Sequence, residues 1–260
     1  MVAFSDPCVV FALRRESSFF RRAFRPHRRF PGAPCWARFC GPAGLTVLVL
    51  ETGLGAAATE RAVRWLLGRP ALGNGAYRPR LVLSAGFAGA LRPGLRVGDL
   101  ILAGEVVDVA GHRWPAPWPG ERPPGEGRPP LARGRLLTVP ALAGDPGQKE
   151  RLGDQHDALA VDMETATLAR LCHQHGVAFG CLRSISDDCR TPLSPDLVSV
   201  LGQGRVGPLR LLGALARKPA LLAELWRLAG QTRTAARQLA LGLGELLLHA
   251  PDEAVPPGPV

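Results

Sequence analysis

Residues 160–192, AVDMETATLARLCHQHGVAFGCLRSISDDCRTP, decide how the rest of the chain is read. A short apolar strand runs into Asp162-Met163-Glu164, and a helix follows to about His175. Met163, Ala166, Leu168, Ala169, Leu171 and Cys172 are spaced for one inward helical face, and Gly176 stops the run. Residues 178–185 then read as a buried strand that ends in Ser186-Asp187-Asp188. Glu164 and Asp187 therefore stand at the edges of elements, where side chains reach a cleft. Singly, each has a plain structural reading: Glu164 as a favourable charge on a first helical turn, Asp187 as the cap of a following turn.

Working outward, residues 8–12 form a compact apolar strand followed at once by Leu13-Arg14-Arg15-Glu16. Residues 45–51 form a second strand, Thr52-Gly53-Leu54-Gly55 a glycine-rich turn, and residues 56–67 a helix. Such a turn offers backbone N–H groups to an anion or a ribose, although glycines also serve merely to turn tightly. Residues 81–91, LVLSAGFAGAL, read as a buried strand and a small-residue turn, and residues 97–102 open the return strand with Asp99 as a turn former. Strands alternating with helices predict an α/β fold, a three-layer α/β/α domain around a central mixed sheet, with C-terminal helices added. Thr52, Ser84, Glu164 and Asp187 would emerge at strand ends, where ligands of such sheets collect.

Met-Glu at a helix start and Ser-Asp after a buried strand together resemble the nucleoside phosphorylase family, most closely its methylthioadenosine/S-adenosylhomocysteine nucleosidase branch, over roughly residues 8–192. The resemblance implies cleavage of the N-glycosidic bond of an adenine nucleoside by water, with phosphorolysis, a glycosyl transfer to phosphate, as the close alternative. It calls for no metal and no organic cofactor. It makes Asp187 the general acid at purine N7, its pKa raised by a desolvated site. Glu164 would accept hydrogen bonds from the ribose 2′ and 3′ hydroxyls, with Met163 packed under the sugar. Glu16 would hold and deprotonate the water, although Arg14 and Arg15 stand where the family has two further acids. An exposed Glu16 at a helix start is the competing reading.

Thr52, Gly53 and the turn at Ser84, Gly86 and Phe87 fall at the sugar end of the family's pocket. Ser84 and Phe87 occupy the positions where bacterial purine phosphorylases carry an arginine and a serine for phosphate, which argues for hydrolysis. Arg14, Arg15 or an arginine from a neighbouring subunit are the candidates to meet a phosphate instead. The segment from Val139 to Leu142 falls where the family binds its base through backbone groups. No aromatic stands there, so Phe179 or Phe87 would supply the stacking ring. Ser186 would hydrogen-bond the loop that positions Asp187, and the serine immediately before it selects Asp187 over Asp188.

A chain of 260 residues that is 46% hydrophobic holds one large α/β domain with an appendage. We expect a catalytic domain over residues 1–200, a helical extension over 201–250 and a disordered tail over 251–260. No run reaches the ~18 apolar residues of a membrane span. The opening apolar CVVFAL is short, and its arginines follow rather than precede it, unlike a signal peptide, so a cytoplasmic location is expected. Six cysteines show no CxxC pair, which predicts neither a zinc site nor a disulfide framework. The net charge of +10 is almost all arginine, with Lys149 and Lys218 the only lysines, and no nucleic-acid module accompanies it.

Residues 21–43, basic with Phe24, Phe30, Trp36 and Phe39 interspersed, read as an irregular hairpin on the domain edge rather than an RNA-binding surface. Residues 108–133 read as a long surface loop whose Trp114 and Trp118 either cover a pocket or pin the loop down, with a strand returning at 135–139. The tail over 209–249, interrupted at Pro219, reads as terminal helices packed on the sheet, or as a basic amphipathic surface that touches the inner membrane face. A similar tail marks hopanoid-associated family members, which implies a lipid-linked nucleoside such as adenosylhopane as the substrate. The resemblance also implies a homo-oligomer. A different function class stays open beside these: a non-catalytic nucleic-acid or membrane-surface binder on the same scaffold.

Overall fold

Strand β1 (Cys8–Phe11) is buried along its whole length, as a continuous apolar run requires of a strand covered on both sides. The computed structural model describes residues 6–23, 27–29, 36–40, 46–68, 71–72, 75–118, 129–194 and 220–248. After β1 come helices α1 (Arg14–Ser17) and α2 (Phe20–Ala23), and strands β2 (His27–Arg29), β3 (Trp36–Cys40) and β4 (Val47–Glu51). Helix α3 (Ala56–Leu67) leads to the short β5 (Ala71–Leu72) and β6 (Gly75–Ala76), then to β7 (Leu81–Ala90), β8 (Leu100–Asp108), β9 (Arg113–Pro115) and β10 (Leu131–Thr138). Helix α4 (Pro146–His156), β11 (Ala160–Asp162), α5 (Thr165–Gln174), β12 (Ala178–Asp187) and α6 (Ala220–Leu248) complete the order.

The pleat sorts these strands into two faces. Cys8, Val10, Leu48, Leu50 and Val82 pack with Ala62, Val63, Leu66 and Leu67 of α3 and with Ala166, Leu168, Ala169, Leu171 and Cys172 of α5. Val9, Phe11, Val47, Val49, Leu81 and Leu83 pack on the opposite side with Phe20 of α2 and with Leu239, Leu243, Leu246 and Leu247 of α6. Helices therefore cover both sides of a mixed sheet, the three layers expected from the sequence. The strand order is β11-β10-β8-β12-β7-β1-β4-β3-β2. Strand β11 also pairs antiparallel with β7, so β7, β12, β8, β10 and β11 close into a ring beside the open part of the sheet.

Two expectations change in detail. The small-residue run after Ser84 is not a turn: β7 stays extended to Ala90 and pairs with β12 as far as Gly89. Its glycines are there because side chains from other elements come close, as described below. Within the expected surface loop at 108–133, β9 folds back on β8 as a hairpin. Trp114 and Trp118 are both buried, and a Cβ on Gly180 would come within 2.9 Å of the Trp118 ring, so this indole pins the segment against β12.

Other expectations hold. Asp99 is a turn former whose carboxylate accepts from the Arg96 N–H at 2.8 Å. Strands β2 and β3 form the edge hairpin next to β4. Helix α6 begins directly after Pro219, and from residue 227 onward, where its side chains are described, it packs on the sheet. The rest of the predicted tail, 201–219 and 249–260, lies outside the described residues. Among the described residues no helix is long and apolar enough to cross a membrane. Cys8, Cys172 and Cys181 are buried outside any disulfide, and Cys189 is half-buried.

The docking of α6 is testable. Leu243 has no exposed surface, so Leu243→Ala should cost about 2–5 kcal/mol by urea unfolding. A loss under about 1 kcal/mol would mean that α6 does not belong to this core.

Candidate active site

Arg183 puts a cation in the middle of the buried strand β12, with 4% of the residue exposed, and a charge so placed must be paired. Its Nε and Nη2 donate to Asp162 Oδ2 at 3.1 and 2.9 Å. Nη2 also reaches Ser84 Oγ at 2.8 Å and Thr165 Oγ1, and Nη1 donates to the Leu182 carbonyl. Asp162 in turn accepts from Thr138 Oγ1 at 2.7 Å and from Thr165 Oγ1 in the first turn of α5. Strands β7, β10, β11 and β12 and the start of α5 are thus joined through one polar cluster.

Against this cluster lies a cavity of about 20 Å³, lined by Val10, Ala12, Glu16, Thr52, Thr59, Ser84, Ala85, Gly86, Phe87, Asp162, Glu164, Leu168 and Arg183. That volume holds about one water molecule. Glu16 is 5% exposed and bridges two elements: Oε2 accepts from the Leu13 N–H at 2.7 Å and Oε1 from the Phe87 N–H at 2.9 Å. Burial pushes its carboxyl pKa up, and those two backbone donors pull the other way. Glu164 precedes α5 yet does not cap it; its Oε1 accepts from the Gly55 N–H at 2.8 Å, at the start of α3. Desolvation, and then the neighbouring Asp162 charge, push Glu164 up to about 7. Gly86 is the contact that permits this packing, since a Cβ there would sit 2.7 Å from Glu16 Oε1.

Asp187 stands farther along the same strands, outside that lining. A bulge in β12 after Ile185 sets it opposite Gly89 of β7, where a Cβ would lie 3.0 Å from its Oδ2. Ser186 Oγ donates to Asp187 Oδ1 at 2.7 Å. Lys149 of α4, fully buried, donates from Nζ to Asp187 Oδ2 at 2.5 Å and to the Asp188 carbonyl at 2.7 Å. Asp187 is buried, as a desolvated site requires, and an ion pair with Lys149, not expected from sequence, occupies it. Gly86 and Gly89 are three residues apart on an extended strand, roughly 10 Å.

The residues singled out from sequence divide accordingly. Glu16, Thr52, Ser84, Gly86, Phe87 and Glu164 meet in the cavity. Ser186 and Asp187 form the second position, and Ser186 bonds the acid itself rather than only its loop. Met163 is half-buried and Gly53 turns the chain at φ 88°, both outside the lining. Phe179 lies in the core beneath α3 and α5, which removes it as a stacking ring and leaves Phe87. Val139 is buried with Leu91, Val107 and Val161, and neither it nor Leu142 lines the cavity. Asp188 caps a turn, accepting from the Arg190 and Thr191 N–H groups and from Thr191 Oγ1. Arg14 and Arg15 do not line the cavity; Arg15 borders a separate surface pocket with Arg233.

Sequence reasoning missed Arg183, Asp162, Thr138, Thr165 and Lys149. A lone arginine inside the apolar run 178–185 was the available signal, because a buried cation demands a buried anion. Helix α4, which carries Lys149, was also missed, although Asp145 before Pro146 is a helix-start pattern and its carboxylate does accept from Gln148 N–H.

Residues 21–199 match the sequence profile of the Phosphorylase superfamily. The 5′-methylthioadenosine/S-adenosylhomocysteine nucleosidase of Bacillus thuringiensis strain Al Hakam is 29% identical over 167 residues, covering 56% of this chain and 69% of that protein. Among solved structures, the nucleosidase of the same name from Neisseria meningitidis, in complex with methylthio-immucillin-A, superposes with a TM-score of 0.67 at 18% identity, over 94% of this chain and 99% of that one. Futalosine hydrolase of Helicobacter pylori strain 26695 gives 0.66 at 16% identity, over 94% and 97%. At these identities the structural likeness speaks for the fold.

The raised pKa of Glu164 has a sign that can be measured. Below pH 4.5 the carboxyl is protonated folded or unfolded; as pH rises through about 7 the folded state must ionise it at a cost. Stability is therefore lost across that window, on the order of 3 kcal/mol at most. Glu164→Gln should be more stable than the parent to urea at pH 8 and equal to it at pH 4; equal stability at both would mean that Glu164 is not held in a desolvated site.

Proposed function

Because the chain belongs to the Phosphorylase superfamily, we propose that it cleaves the N-glycosidic bond of a purine nucleoside, with water as the nucleophile. The charge balance of the cavity carries this reading. Arg183 is matched by Asp162, which leaves Glu16 and Glu164 as uncompensated acids. A phosphate dianion entering there would meet like charge with no cation to spare, whereas water needs an acid to orient and deprotonate it. The charge balance of the described lining thus favours water over phosphate.

In this mechanism Glu16, fixed by two backbone donors, accepts a proton from the water as it attacks the anomeric carbon. Glu164 accepts hydrogen bonds from the ribose 2′ and 3′ hydroxyls, and its charge lies where the sugar becomes oxocarbenium-like. A carboxylate held in place before the reaction stabilises that cation more than one that must reorganise. Phe87 packs against the sugar or base, and Asp187, farther along β7 and β12, faces the departing purine at N7. We take 5′-modified adenosines as the substrate class because the similar proteins named above include nucleosidases for 5′-methylthioadenosine and S-adenosylhomocysteine. A lipid-linked adenosine belongs to the same class.

The experiment is release of free adenine from 5′-methylthioadenosine, S-adenosylhomocysteine and a 5′-alkyl adenosine, with and without phosphate. Free sugar as the product, at a rate indifferent to phosphate, is expected; a sugar 1-phosphate would replace water by phosphate in the mechanism. No base release from any of the three, with salt-sensitive binding to RNA or anionic vesicles, would favour a binding protein on this scaffold. Glu16→Gln should lower kcat by about 10²-fold or more, in line with the loss of a general base. Asp188→Asn should be mild, because Asp188 serves a turn.

A further inference from the structure

We propose that Lys149 is the source of the proton that the leaving purine receives, relayed through Asp187. This rests on the nucleosidase reading above. An aspartate salt-bridged to an ammonium has no proton of its own to give, and the hydrogen nearest its carboxylate is on Lys149 Nζ, 2.5 Å from Oδ2. Lys149 has no exposed surface and a second acceptor in the Asp188 carbonyl, so its ammonium is held on one line toward the acid. Ser186 Oγ occupies the other carboxylate oxygen, which fixes the plane of the group. In a chain with 32 Lys and Arg residues, only two of them lysine, a lysine stands at this wholly buried position. A lysine ammonium is able to pass a proton to an acceptor on its line, and an arginine guanidinium does not deprotonate in proteins.

The step balances. As the bond between the anomeric carbon and purine N9 breaks, its electron pair moves onto the base, and N7 takes a proton from Asp187. Asp187 takes the proton of Lys149 Nζ in exchange, so Lys149 is left as a neutral amine and the purine departs neutral. The proton that Glu16 takes from the attacking water is released to solvent, and one from solvent restores the ammonium. That return path runs through Asp187, whose side chain is 12% exposed, because Lys149 itself touches no solvent. Lys149 is thus a positioning residue that acts through Asp187 and does not meet the substrate.

The test compares the parent with Lys149→Met and Lys149→Arg on two substrates. 5′-Methylthioadenosine needs protonation of its leaving group, and p-nitrophenyl β-D-ribofuranoside does not, because nitrophenolate leaves as a stable anion. Folding is checked by circular dichroism and thermal melting. Both variants should lose about 10²-fold in kcat on the nucleoside with KM within a few-fold of the parent, while nitrophenyl release stays close to the parent rate. Lys149→Arg retains the cation and the ion pair, so near-parental turnover of the nucleoside by that variant would overturn the proposal. Equal losses on both substrates would also overturn it, since they describe a residue that only holds the fold. A parent inactive on both substrates would sink the nucleosidase reading, an outcome distinct from either of these.

Discussion

A guanidinium inside a β-sheet is the constraint on which the rest of this structure depends. Arg183 sits where the strand is otherwise apolar, and its charge persists because Asp162 meets it and three hydroxyl-bearing residues complete the pair. Losing the acid alone would leave a buried unpaired charge, at a cost of about 3–5 kcal/mol. The pair therefore enforces a register: Ser84 on β7, Thr138 on β10, Asp162 on β11 and Thr165 on α5 must all arrive together. The ring closure of β11 on β7 brings them there. A hydrophobic contact tolerates a shift of an ångström or so, and this cluster does not.

Once that cation is neutralised locally, every further acid at the site is in excess. Glu16, by two backbone donors, and Glu164, by one, are held against water-poor surroundings, and both are pushed toward their neutral forms. The fold bears this as a stability cost rather than relieving it with a second arginine, although arginine is abundant in the chain. Strain of this kind concentrates at working sites because the chemistry needs the groups more than the fold does. The glycines of β7 belong to the same economy of space: Gly86 and Gly89 make room for carboxylates arriving from α1 and β12.

The layering was legible in the sequence because it follows from short-range periodicity. Short apolar runs at residues 8–11 and 47–51, each followed by a turn and a helix, and the helical spacing in 56–67 and 165–174, point to one layering. Glu16, Glu164 and Asp187 were legible for a different reason, a family pattern at element edges. What escaped was whatever depends on partners distant in sequence. Lys149 lies 38 residues from Asp187, and its helix, rich in polar residues, shows little of the apolar stripe that would announce it. The extension of β7 through its glycines also escaped, since Gly and Ala suit turns and close approach alike, and only the incoming carboxylates distinguish the two.

The thiols described with the fold divide into two kinds. Cys8, Cys172 and Cys181 have no exposed surface, and burial above all raises Cys181 to about 11, so little reactive thiolate is present there at neutral pH. A sulfhydryl reagent reaches them only when the sheet itself opens, and their labelling rate is a clock for global unfolding. Cys189, half-buried and two residues from Asp187, reports instead on the segment that follows β12. Among the described residues the chain thus carries its own pair of probes, one for the whole fold and one for that segment.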